Sequence, residues 1–235
     1  MEQSLTSPLR CYFDLELPSG HARRKSLLGA RASRPLWPLL VALHGYEGNK
    51  ESMMSLARRI AAGKMVVISL QGPYQFFLGR NEDPKSFRVG FGWGTNYKGL
   101  ESVALHHHNI NALIRLAVKD HRADPNRVFL LAFSQSCSYN YRYAFSHPGK
   151  VRGVIAVCGG IPGDWEKNPK YRPSGTHVLH IAATQDQWYS REKNEQFLER
   201  LPQRAASLDF RFYNSTHRFP RASLPHIRRW IEKHL

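Results

Sequence analysis

Ser134, Asp186 and His217 each stand just past the end of an apolar, strand-like run, at 128–133, 178–183 and 208–213 respectively. A serine hydroxyl is a weak nucleophile near neutral pH and needs a base beside it. A histidine can take that proton and return it to a leaving group. An aspartate can fix the imidazole tautomer and stabilise the imidazolium. Together the three predict acyl transfer through a covalent serine intermediate. Their chain order, serine then aspartate then histidine, differs from both well-known serine-protease orders. Ser136 rivals Ser134 but lies two residues further on, inside a helical stretch. Asp164 is a second candidate acid, and His177, His180 and His226 are second candidate bases. Asp186 and His217 lead because each follows a clear strand-like run.

A nucleophilic serine must be presented on a sharp turn between strand and helix. Ala132-Phe133-Ser134-Gln135-Ser136 has the form of G-x-S-x-G with both glycines replaced by the next smallest residues. A helical stretch at 137–147 follows and Pro148 stops it. The tetrahedral oxyanion of acyl transfer needs preorganised donors, each worth about 2.7–4 kcal/mol in catalysis. The backbone N–H groups of Gln135, at the helix start, and of Tyr46, after His44-Gly45, are the expected pair. Among the aromatics of the loops, Trp93, Trp165, Trp188 and Phe219 are the candidate lining of an apolar acyl or aryl pocket.

The elements that would position these groups alternate. Strand-like runs fall at 11–17, 39–43, 65–70, 128–133, 151–157, 178–183 and 208–213, with a weaker one at 26–28. Helical periodicity falls at 52–63, 100–121, 137–147, 191–201 and 222–235. Alternation of this kind predicts βαβ units, hence a three-layer α/β fold whose mostly parallel sheet is flanked by helices on both faces. Ligands of such sheets bind at the carboxyl ends of the strands, where all the candidates lie. No domain boundary or repeat is visible, so 1–235 is read as one domain. Residues 1–37 supply edge strands and a basic loop, while 71–99 and 161–175 form loops over the site.

Leu43-His44-Gly45-Tyr46-Glu47-Gly48-Asn49 resembles the H-G-x-G-G-N oxyanion loop of the phospholipase/carboxylesterase family of α/β-hydrolases. Asp124-Pro125-Asn126-Arg127-Val128, running into Phe133-Ser134-Gln135, resembles that family's D-x-x-R-V…G-F-S-Q-G-G segment. His147-Pro148 and Cys158-Gly159-Gly160-Ile161-Pro162 match its spacing. The similarity runs in order from about residue 38 to the end. It implies an α/β-hydrolase fold without a large lid domain, and metal-free hydrolysis of carboxylic esters on a Ser134–His217–Asp186 triad, with no cofactor. Thioesters, lysophospholipids, feruloyl or acetyl esters and peptides are alternative substrates for the same triad. An inactive binding protein on a hydrolase scaffold is the alternative from another class. Ala132 and Ser136 depart from the family's glycines, and Tyr139, Tyr141 and Tyr143 make the following helix bulkier than usual.

The net charge is +16 and the pI about 10.1. Such a chain attracts anionic surfaces, most of all through His21-Ala22-Arg23-Arg24-Lys25 with Arg31 and Arg34. No zinc-finger, RNP or helix-turn-helix pattern accompanies the charge, so specific nucleic-acid binding is not expected. Residues 1–10 lack a signal-peptide core and no apolar run approaches the roughly 18 residues of a membrane span, which predicts a cytoplasmic protein acting on a small-molecule ester. Cys11, Cys137 and Cys158 have no metal or disulfide spacing. His106-His107-His108 invites a metal reading. Neighbours on a helix point about 100° apart, though, so an exposed helical face is expected instead.

Overall fold

The computed structural model describes residues 2–20, 36–79 and 86–235. The basic segment 21–25 with Arg31 and Arg34, and the expected strand at 26–28, lie outside the described residues. In chain order the elements are β1 (Phe13–Glu16), β2 (Trp37–Leu43), α1 (Lys50–Ala61), β3 (Val66–Leu70), β4 (Tyr74–Leu78) and β5 (Arg88–Gly92). There follow α2 (Gly99–His121), β6 (Ala123–Phe133), α3 (Gln135–Ser146), β7 (Gly153–Val157) and β8 (His177–Ala183). The chain ends with α4 (Arg191–Arg200), β9 (Ser207–Tyr213) and α5 (Leu224–Lys233).

Among the described residues seven strands form one sheet in the order β1-β3-β2-β6-β7-β8-β9. Only β1 runs antiparallel; every other neighbouring pair is parallel. The reason is legible in β2, Trp-Pro-Leu-Leu-Val-Ala-Leu, which is apolar at every position. A strand covered on both faces must be so. Leu39, Val41 and Leu43 face one core with Ile110 and Leu113 of α2 and Tyr141 and Phe145 of α3. Leu40 and Ala42 face the other with Met53 and Ile60 of α1 and Ile227 and Trp230 of α5. Each fully buried leucine or isoleucine of these layers contributes about 1.5–3 kcal/mol relative to exposure. Three layers result, with helices on both faces and no separate lid domain among the described residues.

After β2 the chain adds β3 on one side, and after α2 it returns to add β6 on the other. The strand order therefore reverses between β2 and β6, and a crevice opens at their carboxyl ends. His44 follows β2 there and Ser134 follows β6.

One expectation is corrected. Residues 71–99 were read as a loop, but they contain the hairpin β4–β5, a two-stranded sheet of its own with Tyr74 opposite Gly92 and Phe76 opposite Gly90. Several of its apolar side chains are exposed or half-exposed, Phe77 and Val89 among them, so it lacks the alternation that marks a half-buried strand.

Candidate active site

Ser134 joins β6 to α3 in a single residue, at φ 56° and ψ −118°. A non-glycine residue with positive φ is strained and holds that shape only where its surroundings impose it. They do so from three sides. The Ser134 N–H donates to Val157 O at 2.9 Å, and Cys137 N–H donates back to Ser134 O at 3.1 Å. The Ser136 hydroxyl accepts from Phe133 N–H at 3.2 Å and shares its one proton between Leu43 O and Phe133 O, 3.1 and 3.0 Å away. Ser136 thus does more than replace a glycine: it ties the turn to the end of β2. The absolute demand for glycine lies across the turn, at Gly159. A Cβ there would fall 2.4 Å from both Ser134 O and Cys137 Sγ.

His217 follows β9 and stands over Ser134. Its Nε2 is 2.8 Å from Ser134 Oγ and its Nδ1 is 2.8 Å from Asp186 Oδ2. The chain after Asp186 turns back over the carboxylate, so that Trp188 and Tyr189 N–H groups donate to Oδ1 at 2.8 and 3.0 Å. Oδ2 is left to His217, and the aspartate side chain is fully buried. A carboxylate facing Nδ1 selects the Nδ1–H tautomer, which leaves the Nε2 lone pair for the serine proton. Burial pushes the Cys158 thiol up to about 12, with the charge of Asp186 adding to it, and burial pushes the Tyr189 phenol to about 12 as well. Both neighbours are therefore neutral near pH 7.

Beside Ser134 lies the turn His44-Gly45-Tyr46-Glu47-Gly48. A Cβ on Gly45 would meet Phe133 at 2.7 Å and Ser134 Cβ at 3.2 Å, so only glycine lets this backbone approach the serine. His44 holds the turn from behind. Its Nε2 receives Gly72 N–H at 2.9 Å, and because a backbone N–H can only donate, Nδ1 carries the proton that goes to Gly45 O at 2.7 Å. Burial lowers the His44 pKa, which keeps that neutral tautomer. Trp93 Nε1–H donates to His44 O at 2.8 Å. The Gln135 side chain completes the brace, accepting from Trp93 N–H and donating to Gly94 O, both at 2.9 Å. The hairpin clamps the outer side: Glu47 N–H donates to Phe91 O at 3.0 Å, and Tyr46 stacks on Phe76 with centroids 4.7 Å apart.

The family model described as Phospholipase/Carboxylesterase matches residues 30–235. The chain belongs to that family. A comparison of the sequence with curated proteins finds no match. Among solved structures, a Bacillus cereus carboxylesterase superposes with a TM-score of 0.70 at 15% identity, covering 96% of this chain and 95% of its own. A Mesorhizobium loti carboxylesterase gives a TM-score of 0.69 at 20% identity, covering 97% and 98%. At such identities the likeness is one of fold, the α/β-hydrolase fold.

Within this family member the expected pocket residues divide. Trp188 is 67% exposed, and Phe219 is half-buried, with its ring 6.2 Å from that of Phe133. Trp93 and Trp165 are corrected: both are fully buried. Trp93 packs behind the His44 turn, and Trp165 lies among Tyr141, Phe145 and Tyr171 with its Nε1–H on Arg200 O at 3.2 Å. Tyr189 is a further neighbour of the site. Its ring lies within 21° of parallel to that of His217 at 6.1 Å, and the Phe133 ring is 5.3 Å from the same imidazole. Its only sequence signal is its place three residues after Asp186.

The rival candidates have other partners. Asp164 pairs with Arg142 at 2.7 Å and accepts from Asn168. His180 is buried against Tyr141, His177 meets Ser207, and His226 meets Asp209. The expected exposed face of the histidine run is also corrected. His106 is buried, held to about 3 by that burial, and His107 is half-buried and held to about 4. Their neighbours are the tyrosines of α3, Tyr139 and Tyr143. Only His108 is exposed. Among the described residues no three His, Cys, Asp or Glu side chains gather as a metal site would require.

Proposed function

We propose that this protein is a serine carboxylesterase that cleaves small to medium acyl or aryl esters through an acyl-enzyme, working in the cytoplasm as one catalytic unit of residues 1–235. The observation that carries the reading is the unbroken hydrogen-bond chain from Ser134 Oγ through His217 to Asp186. In the first half-reaction His217 Nε2 takes the Ser134 proton as Oγ bonds to the ester carbonyl carbon. The carbonyl oxygen becomes an oxyanion, received by the Tyr46 and Gln135 N–H groups. Gln135 is the first residue of α3, so the positive end of the helix dipole supports the same charge. Collapse breaks the bond to the alcohol oxygen, to which His217 returns the proton. Water then repeats the sequence on the acyl-serine, releasing the acid and restoring Ser134. Asp186 fixes the imidazole and balances its transient charge without accepting the proton.

The aromatic surroundings of His217, formed by Phe133 and Tyr189 with Phe219 against Phe133, favour an apolar group on the substrate. The test is covalent. A fluorophosphonate should modify Ser134 stoichiometrically, as located by mass spectrometry after digestion, and turnover of p-nitrophenyl esters of graded chain length should cease with it. An adduct at any other residue, or none, removes the mechanism.

A further inference from the structure

A cavity of about 570 Å³ is lined by neither Ser134 nor His217. It runs between α2, the C-terminal half of α3 and the segment 168–172. One wall is apolar, made by Leu100, Val103 and Ala104 of α2. The other is basic, carrying Arg142, His147, Lys170 and Arg172, and no aspartate or glutamate lines the space. Arg142 is matched by Asp164 at 2.7 Å. Lys170 and Arg172 are exposed and make no ion pair among the described residues. His107 lines the same space, with Nε2 buried and without a hydrogen-bond partner.

The two exposed cations of the basic wall, unpaired among the described residues, attract negative charge. We propose that this groove binds a small amphiphilic anion, its carboxylate or phosphate head toward Lys170 and Arg172 and its hydrocarbon part along Leu100, Val103 and Ala104. Burial, then the charges of His147, Arg142 and Lys170, hold His107 near 4. The imidazole is therefore neutral at pH 7 and adds no charge to the wall. The volume lies within the roughly 300–1,000 Å³ of ordinary small-ligand sites.

Calorimetric titration of the full-length protein with decyl phosphate and with decanoate, below their micellar concentrations, tests this. Saturable one-to-one binding is expected. It should weaken about tenfold or more in Lys170→Glu/Arg172→Glu, since two attractive charges become repulsive, and also in Leu100→Asp. Both variants alter exposed side chains, and unchanged thermal unfolding verifies that they remain folded. Absence of binding, equal binding of decanol, equal binding of inorganic phosphate, or binding that survives the double substitution would each overturn the proposal. Co-sedimentation with phosphatidylcholine vesicles doped with phosphatidylglycerol, lost in the double variant, would identify the amphiphile as a bilayer lipid. Decyl phosphate binding without co-sedimentation identifies it as a free one.

Discussion

Two helices start at the same end of the sheet, α1 after β2 and α3 after β6, and they start in opposite ways. Before α1, Asn49 is extended at φ −147° and its side chain accepts from Ser52 N–H at 2.8 Å. This is an ordinary cap, worth roughly 1 kcal/mol. Before α3 stands Ser134, a residue type that caps equally well, yet its side chain makes no capping bond. The hydroxyl points to His217 instead, and the backbone is held at positive φ. The difference teaches what a reactive serine requires. A capping bond would occupy the hydroxyl, which on the proposed mechanism is the nucleophile. Stability given up at α3, about 1–3 kcal/mol of backbone strain besides the missing cap, is what leaves it available.

The largest expected effect breaks the comparison at Ser134 itself. Ser134→Ala should lower ester turnover about 10⁴- to 10⁶-fold, because on the proposed mechanism it removes the nucleophile. Ser134→Gly should be as inactive yet more stable than the parent by about 1 kcal/mol, since glycine adopts positive φ without strain. Turnover assays and denaturant melts measure both. A glycine variant no more stable than the parent would mean that the turn is not a site of stored strain.

Acid should act on the histidines packed between α2 and α3. His106 is held to about 3 by burial, against an unfolded value near 6.5. The unfolded chain therefore binds the extra proton first as pH falls. Stability is complete above about pH 6.5 and declines below it, by about 1.4 kcal/mol per pH unit for this group, until its folded pKa is reached. His107, held to about 4, adds in the same direction. Urea melts between pH 4.5 and 7 should give His106→Gln a slope smaller than the parent's by one proton. Equal slopes would show that His106 takes up its proton alike in the folded and unfolded chain.

The same contrast shows what the sequence could and could not carry. The apolar runs of β2, β6, β7 and β8 and the turns that stop them are local, so the sheet and the approximate places of Ser134, Asp186 and His217 were readable. Which side of a loop an aromatic turns to is not local. Trp93 and Trp165 are buried because their indole N–H groups find His44 O and Arg200 O, carbonyls from remote parts of the chain. The hairpin β4–β5 was hidden for another reason: Phe77 and Val89 are exposed, so its strands lack the alternation that marks a half-buried strand. His106 and His107 are buried by tyrosines of a different helix. The role of Ser136 depends on Leu43 O, at the end of a neighbouring strand.

Gln135 sharpens the comparison by asking how the uncapped end is kept in shape. Its backbone N–H is a proposed oxyanion donor, while its side chain spans Trp93 N–H and Gly94 O. Gln135→Ala retains the first and removes the second. Turnover should fall about tenfold, mainly in kcat, as the His44 turn loosens by a fraction of an ångström around the oxyanion. A parental kcat would leave the bracing to His44 and the hairpin alone.

The smallest effect is expected at α1. Asn49→Ala removes the bond to Ser52 N–H and should destabilise the protein by about 1 kcal/mol, with turnover within about twofold of the parent. Asn49→Asp should retain stability, because it still accepts that bond and its charge suits the helix N-terminus. Asn49 also closes the turn that begins at His44, which makes the outcome informative in the other direction. Should Asn49→Ala lose activity as steeply as Gln135→Ala, the capped start would belong to the oxyanion turn as much as the uncapped one does. The two helices would then divide the work by distance from the carbonyl rather than by the presence of a cap.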